Sequence, residues 1–329
     1  MSTRRELLDA LRSGPVSGPE LADDLGVSRA AVWKAVEALR EEGFDVESTE
    51  NGYVAPADPM YCAAGIEFGL DAPYDVEFSD SIPSTNDRAR RLADEGRSDV
   101  VVVADEQTGG RGRLDREWVA PSGGVWASLL TRPAISPARA PLVTLAAAVA
   151  TTDACRAAGV DAGIKWPNDV LLHRTGDVDP AALETDDPER TAAGRGGEKL
   201  AGILTEMEGE ADRVSWLVVG IGVNANVDPD LLPAGATSLR AVLEEDIDRR
   251  RFVIRLLDRL AELDADPDAI LAAWRERAIT LGRRVHVQTG AGDVVGTAVD
   301  VEPPGALVVE TEDGRVSVHA GDCTHLREA

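Results

Sequence analysis

Helical periodicity interrupted by turn signals marks the first 56 residues. Apolar positions recur every three or four residues over residues 7 to 11, over residues 20 to 25, and again after Ser28. Ser28 is a favourable N-cap residue, and Gly26 turns the chain just before it. Two helices joined by a tight, glycine-containing turn have the spacing of a helix-turn-helix.

A two-stranded wing is predicted to follow the third helix, because residues 44 to 48 alternate and Asn51-Gly52 forms a hairpin turn. In such a domain the third helix, here with Arg40 towards its end, meets phosphates and base edges. A generic three-helix packing module is the alternative, because residues 1 to 56 carry six basic and eleven acidic residues, a balance that disfavours non-specific DNA binding. The predicted DNA-binding residues are Ser28, Arg29 and Lys34.

The central block, residues 60 to 278, mixes strand and helix patterns. Strands joined mainly by turns, with helices set apart, indicate an α+β domain with a mixed sheet. Residues 173 to 198 hold seven acidic and three basic residues with several Gly and Pro, and are predicted to form a mobile acidic insertion. The predicted strands are residues 100 to 104, 125 to 130, 163 to 172, 200 to 206 and 214 to 222, and the predicted helices are residues 138 to 158, 249 to 263 and 268 to 281.

Short strand patterns separated by glycine-rich turns fill residues 282 to 329 and predict a small β-barrel. The predicted organisation is therefore three domains, at residues 1 to 56, 60 to 278 and 282 to 329, and the predicted fold class is α+β. The barrel strands are predicted at residues 284 to 287, 294 to 299, 307 to 310 and 316 to 318.

Charge and composition bear on the environment of the protein. The 329 residues include 59 acidic and 34 basic residues, and the net charge is −25. Only Lys34, Lys165 and Lys199 are lysines. An acidic, lysine-poor surface suits solubility in concentrated salt and favours a halophilic, haloarchaeal source. The sequence contains neither an apolar run long enough to span a membrane nor an N-terminal signal core, which predicts a cytoplasmic protein with no membrane partner.

Several common chemistries lack their residues. None of the three lysines follows a glycine, which excludes a Walker A loop, and no serine lies in a G-x-S-x-G sequence. The four histidines show no metal-ligand spacing, and the three cysteines are too far apart to indicate a zinc site or a disulfide framework. Neither a covalent serine nucleophile nor a zinc hydrolase is therefore expected.

The stretch GGRGRLDREW, residues 109 to 118, places three glycines among three arginines. Glycine lets backbone N–H groups approach an anion closely, and arginine adds charge-assisted hydrogen bonds. The stretch therefore predicts an anion-binding loop, called the Gly/Arg loop below. A solvated loop without a ligand is the alternative.

A second polar segment, IKWPNDVLL at residues 164 to 172, interrupts a strand with a cation, an aromatic ring, an amide and a carboxylate. An edge-strand bulge caused by Pro167 is its structural alternative. Lys199 and Gly202 in KLAGILTE add a cation and an open backbone, and Asn224 adds an amide. Together these groups are what a carboxylate-activating enzyme needs: cations to bring two anions together, and aromatic and amide groups for adenine.

With these motifs, the sequence resembles the bifunctional biotin–protein ligases that also act as biotin operon repressors. The resemblance covers essentially the whole chain. It implies a winged helix-turn-helix, a central ligase domain like that of class II synthetases, and an SH3-like C-terminal barrel. It also implies ATP-dependent formation of biotinyl-5′-AMP and transfer of biotin to a lysine of a biotin carboxyl carrier protein. The matching motifs are residues 84 to 86, Gln107 with residues 110 to 113 and Trp118, residues 165 to 169, residues 199 to 204, and Asn224.

The resemblance implies a role for each matching residue. The catalytic pair would be Arg113 and Lys199. The biotin-binding residues would be Ser84, Thr85, Asn86, Gln107, Gly110, Arg111, Gly112, Arg113, Lys199 and Gly202. The nucleotide-binding residues would be Trp118, Lys165, Asn168, Asp169 and Asn224, with Asp169 also near Mg²⁺. The implied substrates and partners are biotin, ATP with Mg²⁺, the carrier protein and operator DNA, for a monomer in equilibrium with a homodimer.

Three features depart from the family pattern. Asp115 occupies the position of the usual glycine in the Gly/Arg loop, Leu114 replaces an arginine, and the insertion after Leu172 is long. A lipoate-type ligase shares the fold and chemistry and is an alternative function, although its Arg-Arg-x-x-Gly-Gly-Gly stretch is missing. A transcription regulator that senses a ligand without turnover is the second alternative.

Overall fold

The structure is a computed structural model that describes residues 3 to 173, 197 to 263 and 266 to 326. Three helices open the chain and a short hairpin follows, which confirms the predicted winged helix-turn-helix. Ser17 and Ser28 cap the second and third helices, because their side-chain oxygens accept backbone N–H groups. The helices are α1 (Thr3–Arg12), α2 (Gly18–Asp24) and α3 (Arg29–Glu41), and the strands are β1 (Glu47–Thr49) and β2 (Gly52–Val54).

The wing begins later than the alternating pattern predicts. Phe44 and Val46 do not lie in a strand but fill the core of this small domain. Arg40 donates to Val46 O at 2.8 Å and to Ser48 Oγ at 2.9 Å, and it pairs with Glu37 at 2.6 Å. These donors hold α3 against the wing, and contact of Arg40 with phosphates stays a prediction.

Seven strands form a mixed sheet at the centre of the molecule. They are β3 (Asp75–Ile82), β4 (Val100–Gln107), β5 (Val125–Thr131), β6 (Ala162–Lys165), β7 (Asp169–Leu172), β8 (Lys199–Gly209) and β9 (Val214–Val223). The strand order is β3-β4-β5-β9-β8-β7-β6. β3 and β4 are parallel, and the other neighbouring pairs are antiparallel. This mixed sheet with flanking helices confirms the predicted α+β class.

Helices cover both faces of the central sheet. Val101 and Val103 of β4 pack in the main core on one face, whereas Val100 and Val102 pack with Leu92 on the other. This division follows from the two-residue period of a strand, and burial on both faces explains why β4 begins as an unbroken apolar run. The helices are α4 (Ala63–Gly69), α5 (Thr85–Asp94), α6 (Ala140–Ala157), α7 (Leu239–Leu243), α8 (Arg249–Glu262) and α9 (Pro267–Arg277).

In the central block, β3, α4, α5 and α7 are not among the predicted elements, and two predicted elements have different bounds in the structure. Residues 163 to 172 are predicted as one strand but form the antiparallel pair β6 and β7, because Pro167 has no N–H with which to continue the ladder. The last predicted helix ends at Arg277, not Leu281, because Ile279 N donates to Ile164 O at 2.9 Å and so joins the sheet.

Five antiparallel strands form the C-terminal sheet, with the order β13-β12-β11-β10-β14. They are β10 (Arg284–Thr289), β11 (Gly292–Glu302), β12 (Ala306–Thr311), β13 (Gly314–Val318) and β14 (Asp322–His325). The sequence predicts four of these strands and misses β14, which is too short to show a period. Val285 and Leu307 join the main core, so this sheet packs against the central block and brings β14 to the Gly/Arg loop.

Most of the predicted acidic insertion, residues 174 to 196, lies outside the described residues, and its mobility stays a prediction. The three domain boundaries also stay predictions. Arg4 of α1 pairs with Glu67 of α4 at 2.7 Å, which joins the first helix to the central block. Among the described helices, none combines the length and the apolar character that a membrane crossing requires.

Candidate active site

A cavity of about 290 Å³ lies where the Gly/Arg loop, the central sheet and the C-terminal sheet meet. Fourteen of the fifteen predicted ligand-binding and catalytic residues line it. Gly110 is the exception and packs behind the loop, where an added Cβ would lie 2.5 Å from Trp118 O. The lining residues are Ser84, Thr85, Asn86, Gln107, Arg111, Gly112, Arg113, Trp118, Lys165, Asn168, Asp169, Lys199, Gly202 and Asn224.

The N-terminus of α5 forms one part of the cavity wall. Ser84 caps the helix, and Thr85 donates through its N–H and its hydroxyl to Gln107 Oε1 at 2.8 and 3.0 Å. Ser128 Oγ lies 2.7 Å from Thr85 Oγ1 and 2.6 Å from Asn86 Oδ1. Hydroxyl and amide groups fixed in this way suit a ligand with neutral donors and acceptors.

Charged groups hold this part of the wall in place. Asn86 Nδ2 donates to Glu206 Oε2 at 2.6 Å, which fixes the orientation of the Asn86 amide. Arg90 lies 3.4 Å from the other oxygen of Glu206. Asp87 accepts from both Arg90 and Arg111, so the start of the Gly/Arg loop is anchored to α5.

The Gly/Arg loop is a compact irregular hairpin. Trp118 N donates to Gly110 O at 3.0 Å, which closes its base. Leu114 and Asp115 at its tip have φ angles of 56° and 54°, in the left-handed region that favours glycine. The family pattern has a glycine at the position of Asp115, and this positive φ explains why glycine is favoured there.

Arginines of the loop reach two different parts of the molecule. Arg113 donates to Asn168 Oδ1 and to Gly321 O, both at 2.9 Å. Arg116 donates to Asp322 Oδ2 at 2.6 Å. The loop is thus bonded both to the turn between β6 and β7 and to the C-terminal sheet.

Lys199 and Trp118 meet on the floor of the cavity. Lys199 Nζ lies 2.6 Å from Asp169 Oδ1 and 5.0 Å from the centre of the Trp118 ring, within the range of a cation–π contact. The indole rests against two glycines of the sheet: a Cβ on Gly222 would lie 2.8 Å from Trp118 Nε1, and one on Gly202 would lie 3.1 Å from Cζ3. Glycine at both positions is what lets an aromatic ring lie flat on the strands.

Two asparagines border this floor with different hydrogen-bonding states. Asn168 Nδ2 donates to Ile203 O at 2.9 Å, and its Oδ1 accepts from Arg113, so both ends of its amide are used. Asn224 Nδ2 donates to Thr237 O at 3.0 Å. Within the described part of the chain no donor reaches the buried Asn224 Oδ1, which leaves an acceptor for a ligand.

The segment that contains Lys165 is fixed from behind by the C-terminal sheet. Trp166 N donates to Thr280 Oγ1 at 3.0 Å, and Thr280 Oγ1 lies 3.1 Å from His325 Nε2. Burial, with Lys165 and Arg283 nearby, lowers the pKa of His325 to about 3, so this histidine is neutral near pH 7. Because the Thr280 hydroxyl accepts from Trp166, its proton is available for the neutral imidazole.

The predicted DNA-binding residues lie on α3, apart from the cavity. Ser28 Oγ accepts from Ala31 N at 3.2 Å as the helix cap. Arg29 and Lys34 are exposed. Their side chains form no ion pair or hydrogen bond with the described residues, unlike Arg40.

Comparison with known proteins decides the family. The HTH domain model matches residues 3 to 54, the Biotin/lipoate A/B protein ligase family model matches residues 78 to 224, and the Biotin protein ligase C terminal domain model matches residues 280 to 326. The chain is 35% identical over 334 residues to the bifunctional ligase/repressor BirA of Bacillus spizizenii, and the match covers 96% of each protein. The chain belongs to the BirA family.

Ligases that match a smaller share of this BirA-family chain are also similar to it. The biotin–[acetyl-CoA-carboxylase] ligase of Paracoccus denitrificans is 33% identical over 252 residues, which covers 73% of this chain and 95% of that protein. The biotin protein ligase of Aquifex aeolicus, solved in complex with biotin and ATP, matches with a TM-score of 0.59 at 24% identity, over 77% of this chain and 99% of that one. The Aquifex structure shows that the fold is shared.

Sequence reasoning misses several residues that shape the cavity. Ser128 lies inside an apolar strand pattern, Glu206 ends a predicted strand, and Asp322 lies more than 200 positions beyond the arginine that it binds. Ser128 offers a signal, since a serine that is 0% exposed inside a strand must find a hydrogen-bond partner. Nothing local distinguishes Glu206 or Asp322 from the other acidic residues of the chain.

Proposed function

We propose that this chain is an ATP-dependent biotin–protein ligase that forms biotinyl-5′-AMP, transfers biotin to a carrier protein, and binds operator DNA as a biotin-responsive repressor. The observation that carries the ligase assignment is the meeting of two cations from different elements, Arg113 of the Gly/Arg loop and Lys199 of β8, in one cavity. Two anionic substrates repel each other, and fixed cations at the point of attack offset that repulsion.

In the first half-reaction, a carboxylate oxygen of biotin attacks the α-phosphorus of ATP. The bond from the α-phosphorus to the bridging oxygen breaks, and pyrophosphate leaves. Arg113 gives up its hydrogen bonds to Asn168 and Gly321 and binds oxygens of the ligands instead. Lys199 likewise leaves Asp169 for ligand oxygens. These contacts stabilise the charge of the transition state.

In the second half-reaction, a lysine amine of a biotin carboxyl carrier protein attacks the carbonyl carbon of the mixed anhydride. The amide bond forms, the amine loses its proton, and AMP leaves with the bonding electron pair. The side chains of the enzyme bind and orient the reactants, and none has to act as the nucleophile. Closure of the Gly/Arg loop keeps water away from the intermediate.

The two kinds of lining group support different subsites. Fixed hydroxyl and amide groups suit the ureido ring of biotin, which has two N–H donors and one carbonyl acceptor. The buried acceptor Asn224 Oδ1 suits the exocyclic amine of adenine. The proposed biotin subsite comprises Ser84, Thr85, Asn86, Gln107, Gly110, Arg111, Gly112, Arg113, Lys199 and Gly202. The proposed nucleotide subsite comprises Trp118, Lys165, Asn168, Asp169 and Asn224.

Mg²⁺ fits this site only together with phosphate. The described residues contain no cluster of three His, Cys, Asp or Glu side chains that could hold a metal ion alone. Mg²⁺ in phosphate-transfer sites takes one or two carboxylates and completes its shell with phosphate oxygens and water. Asp169 is the carboxylate that would hold the ion, which would neutralise phosphate charge.

The repressor half of the proposal rests on the winged helix-turn-helix and its exposed cations Arg29 and Lys34. We propose that Ser28, Arg29 and Lys34 contact operator DNA, that the chain is a monomer in equilibrium with a homodimer, and that the ligand-bound dimer occupies two half-sites. The acidic, lysine-poor composition supports a halophilic, haloarchaeal source. We also propose that the protein acts in the cytoplasm.

Pyrophosphate release by the full chain with ATP tests the ligase assignment. Release with biotin, and labelling of a carrier-protein lysine, are expected. Release with lipoate in place of biotin would favour the lipoate-type alternative. Tight binding of biotin and ATP without any pyrophosphate release would favour a regulator that senses ligands without turnover.

A further inference from the structure

The recognition helix α3 carries a tryptophan that no contact in the described chain explains. Trp33 is 55% exposed, while Val32, Val36 and Leu39 of the same helix fill the core. An exposed tryptophan leaves a large apolar surface in water. Its neighbours on the same helix are the side chains of Arg29, one turn before it, and Lys34, directly after it.

The charges of the domain point to this part of α3. Residues 1 to 56 contain six cations. Four arginines are engaged with acidic side chains or carbonyls of the chain: Arg4, Arg5, Arg12 and Arg40. Arg29 and Lys34 are the two whose side chains no described residue binds. In an acidic domain, the available positive charge is thus confined to the two sides of Trp33.

The wing adds no positive charge that could attract DNA. Residues 41 to 56 contain no lysine or arginine, and the exposed wing carries Glu47 and Glu50. A net charge of −5 over residues 1 to 56 also leaves little drive from counterion release. Recognition of DNA by this domain therefore depends on base contacts made by α3.

We infer that Trp33 enters the major groove and reads thymine through apolar contact with its 5-methyl group, while Arg29 and Lys34 bind the flanking phosphates. The thymine methyl is the apolar feature of the major groove, and apolar side chains recognise it. Such a contact is not screened by salt as phosphate contacts are. The inference rests on the proposed repressor function and adds the residue and the chemical group that set its sequence preference.

The test uses the full chain with biotin and ATP, and a duplex enriched by that protein from a randomised DNA pool. Trp33→Ala is expected to bind the enriched duplex about tenfold more weakly than the unmodified chain does. The two proteins should bind a scrambled duplex with equal affinity. Trp33→Phe should retain part of the affinity, because it retains an aromatic surface. Leu231→Ala, which truncates a side chain of similar exposure, 56%, in the central domain, is the matched control.

Replacing thymine by uracil in the enriched duplex removes only the methyl groups. The unmodified chain should lose about as much affinity on the uracil duplex as Trp33→Ala loses on the thymine duplex, and Trp33→Ala should be indifferent to the replacement. Thermal unfolding of each variant checks that the domain is folded.

The outcomes separate this inference from the function on which it rests. If Trp33→Ala binds the enriched duplex as tightly as the unmodified chain does, the inference is overturned and the repressor function stays in place. Equal sensitivity of Trp33→Ala and the unmodified chain to uracil also overturns it. Failure of the unmodified chain to enrich any sequence overturns both.

Discussion

Replacement of Lys199 by methionine keeps all but the last atom of the side chain's length and removes its charge. Lys199 Nζ lies 2.6 Å from Asp169, and the two side chains are 21% and 19% exposed, so neither charge is strongly screened by solvent. In the proposed first half-reaction the ammonium contacts both anionic substrates. Two charge-assisted contacts of about 1.5–3 kcal/mol each predict a loss of about 3–6 kcal/mol in transition-state stabilisation. That loss corresponds to about 10²–10⁴-fold in kcat/KM.

The same substitution takes the Lys199 ammonium away from Asp169, which should cost about 1–3 kcal/mol of folding free energy. Adding Asp169→Asn removes the carboxylate charge that Lys199 offsets. The double variant should therefore recover thermal stability but not turnover. Arg251→Met is the matched control, because that arginine is 76% exposed and its ion pair with Asp248 contributes little.

Pyrophosphate release with biotin and ATP measures turnover, and thermal unfolding measures stability. Turnover of Lys199→Met within about threefold of that of the unmodified chain, a far smaller loss than the predicted one, would refute the reasoning. Recovery of turnover in the double variant would also refute it, because Lys199 would then serve only to neutralise Asp169.

Three further predictions concern the loop, the C-terminal sheet and the insertion. Leu114→Asn should slow tryptic cleavage at Arg113 and Arg116 about fivefold, because asparagine tolerates the left-handed φ at about 1 kcal/mol lower cost; equal cleavage rates would contradict this. The folded pKa of His325 is about 3 and its unfolded value is 6.5, so the unfolded chain binds the proton first as the pH falls. Relative to His325→Gln, the unmodified chain should lose about 2 kcal/mol of unfolding free energy between pH 7 and pH 5, and parallel curves would count against the buried neutral state. Replacement of residues 173 to 198 by a short Gly-Ser turn should leave ligase activity at high salt intact; loss of activity in a folded variant would assign the segment to the active site.

Elements with strong periodic patterns could be predicted from the sequence, and elements held mainly by polar contacts could not. The apolar runs of β4 and β5 and the alanine-rich α6 are buried along their lengths, so their residues alone identify them. Helix α5 buries few large apolar side chains and carries seven polar or charged residues among ten, so its pattern is weak. Its position depends on contacts such as Thr85 with Gln107, which only the folded chain brings together.

The candidate site divides in the same way. Short motifs rich in glycines and cations can be recognised in the sequence as candidate binding sites, because few structural roles need these residues at that density. Asp322, by contrast, becomes part of the cavity through the docking of a separate sheet. No local pattern in the sequence contains the information that β14 will lie beside Arg116, since that pairing is set by how the two sheets pack.

The bonds of Arg113 have a consequence for how the two halves of the reaction are linked. One guanidinium holds Asn168 of the central block and Gly321, directly before β14 of the C-terminal sheet, at the same time. When a small molecule draws Arg113 into the cavity, the protein loses a hydrogen-bonded link between the central block and the C-terminal sheet. If the small molecule thereby changes the affinity of the C-terminal sheet for a partner, thermodynamic reciprocity requires that the partner change the affinity for the small molecule by the same factor. A carrier protein that binds only that sheet would thus alter the affinity for a reactive intermediate held at a distance from its own surface.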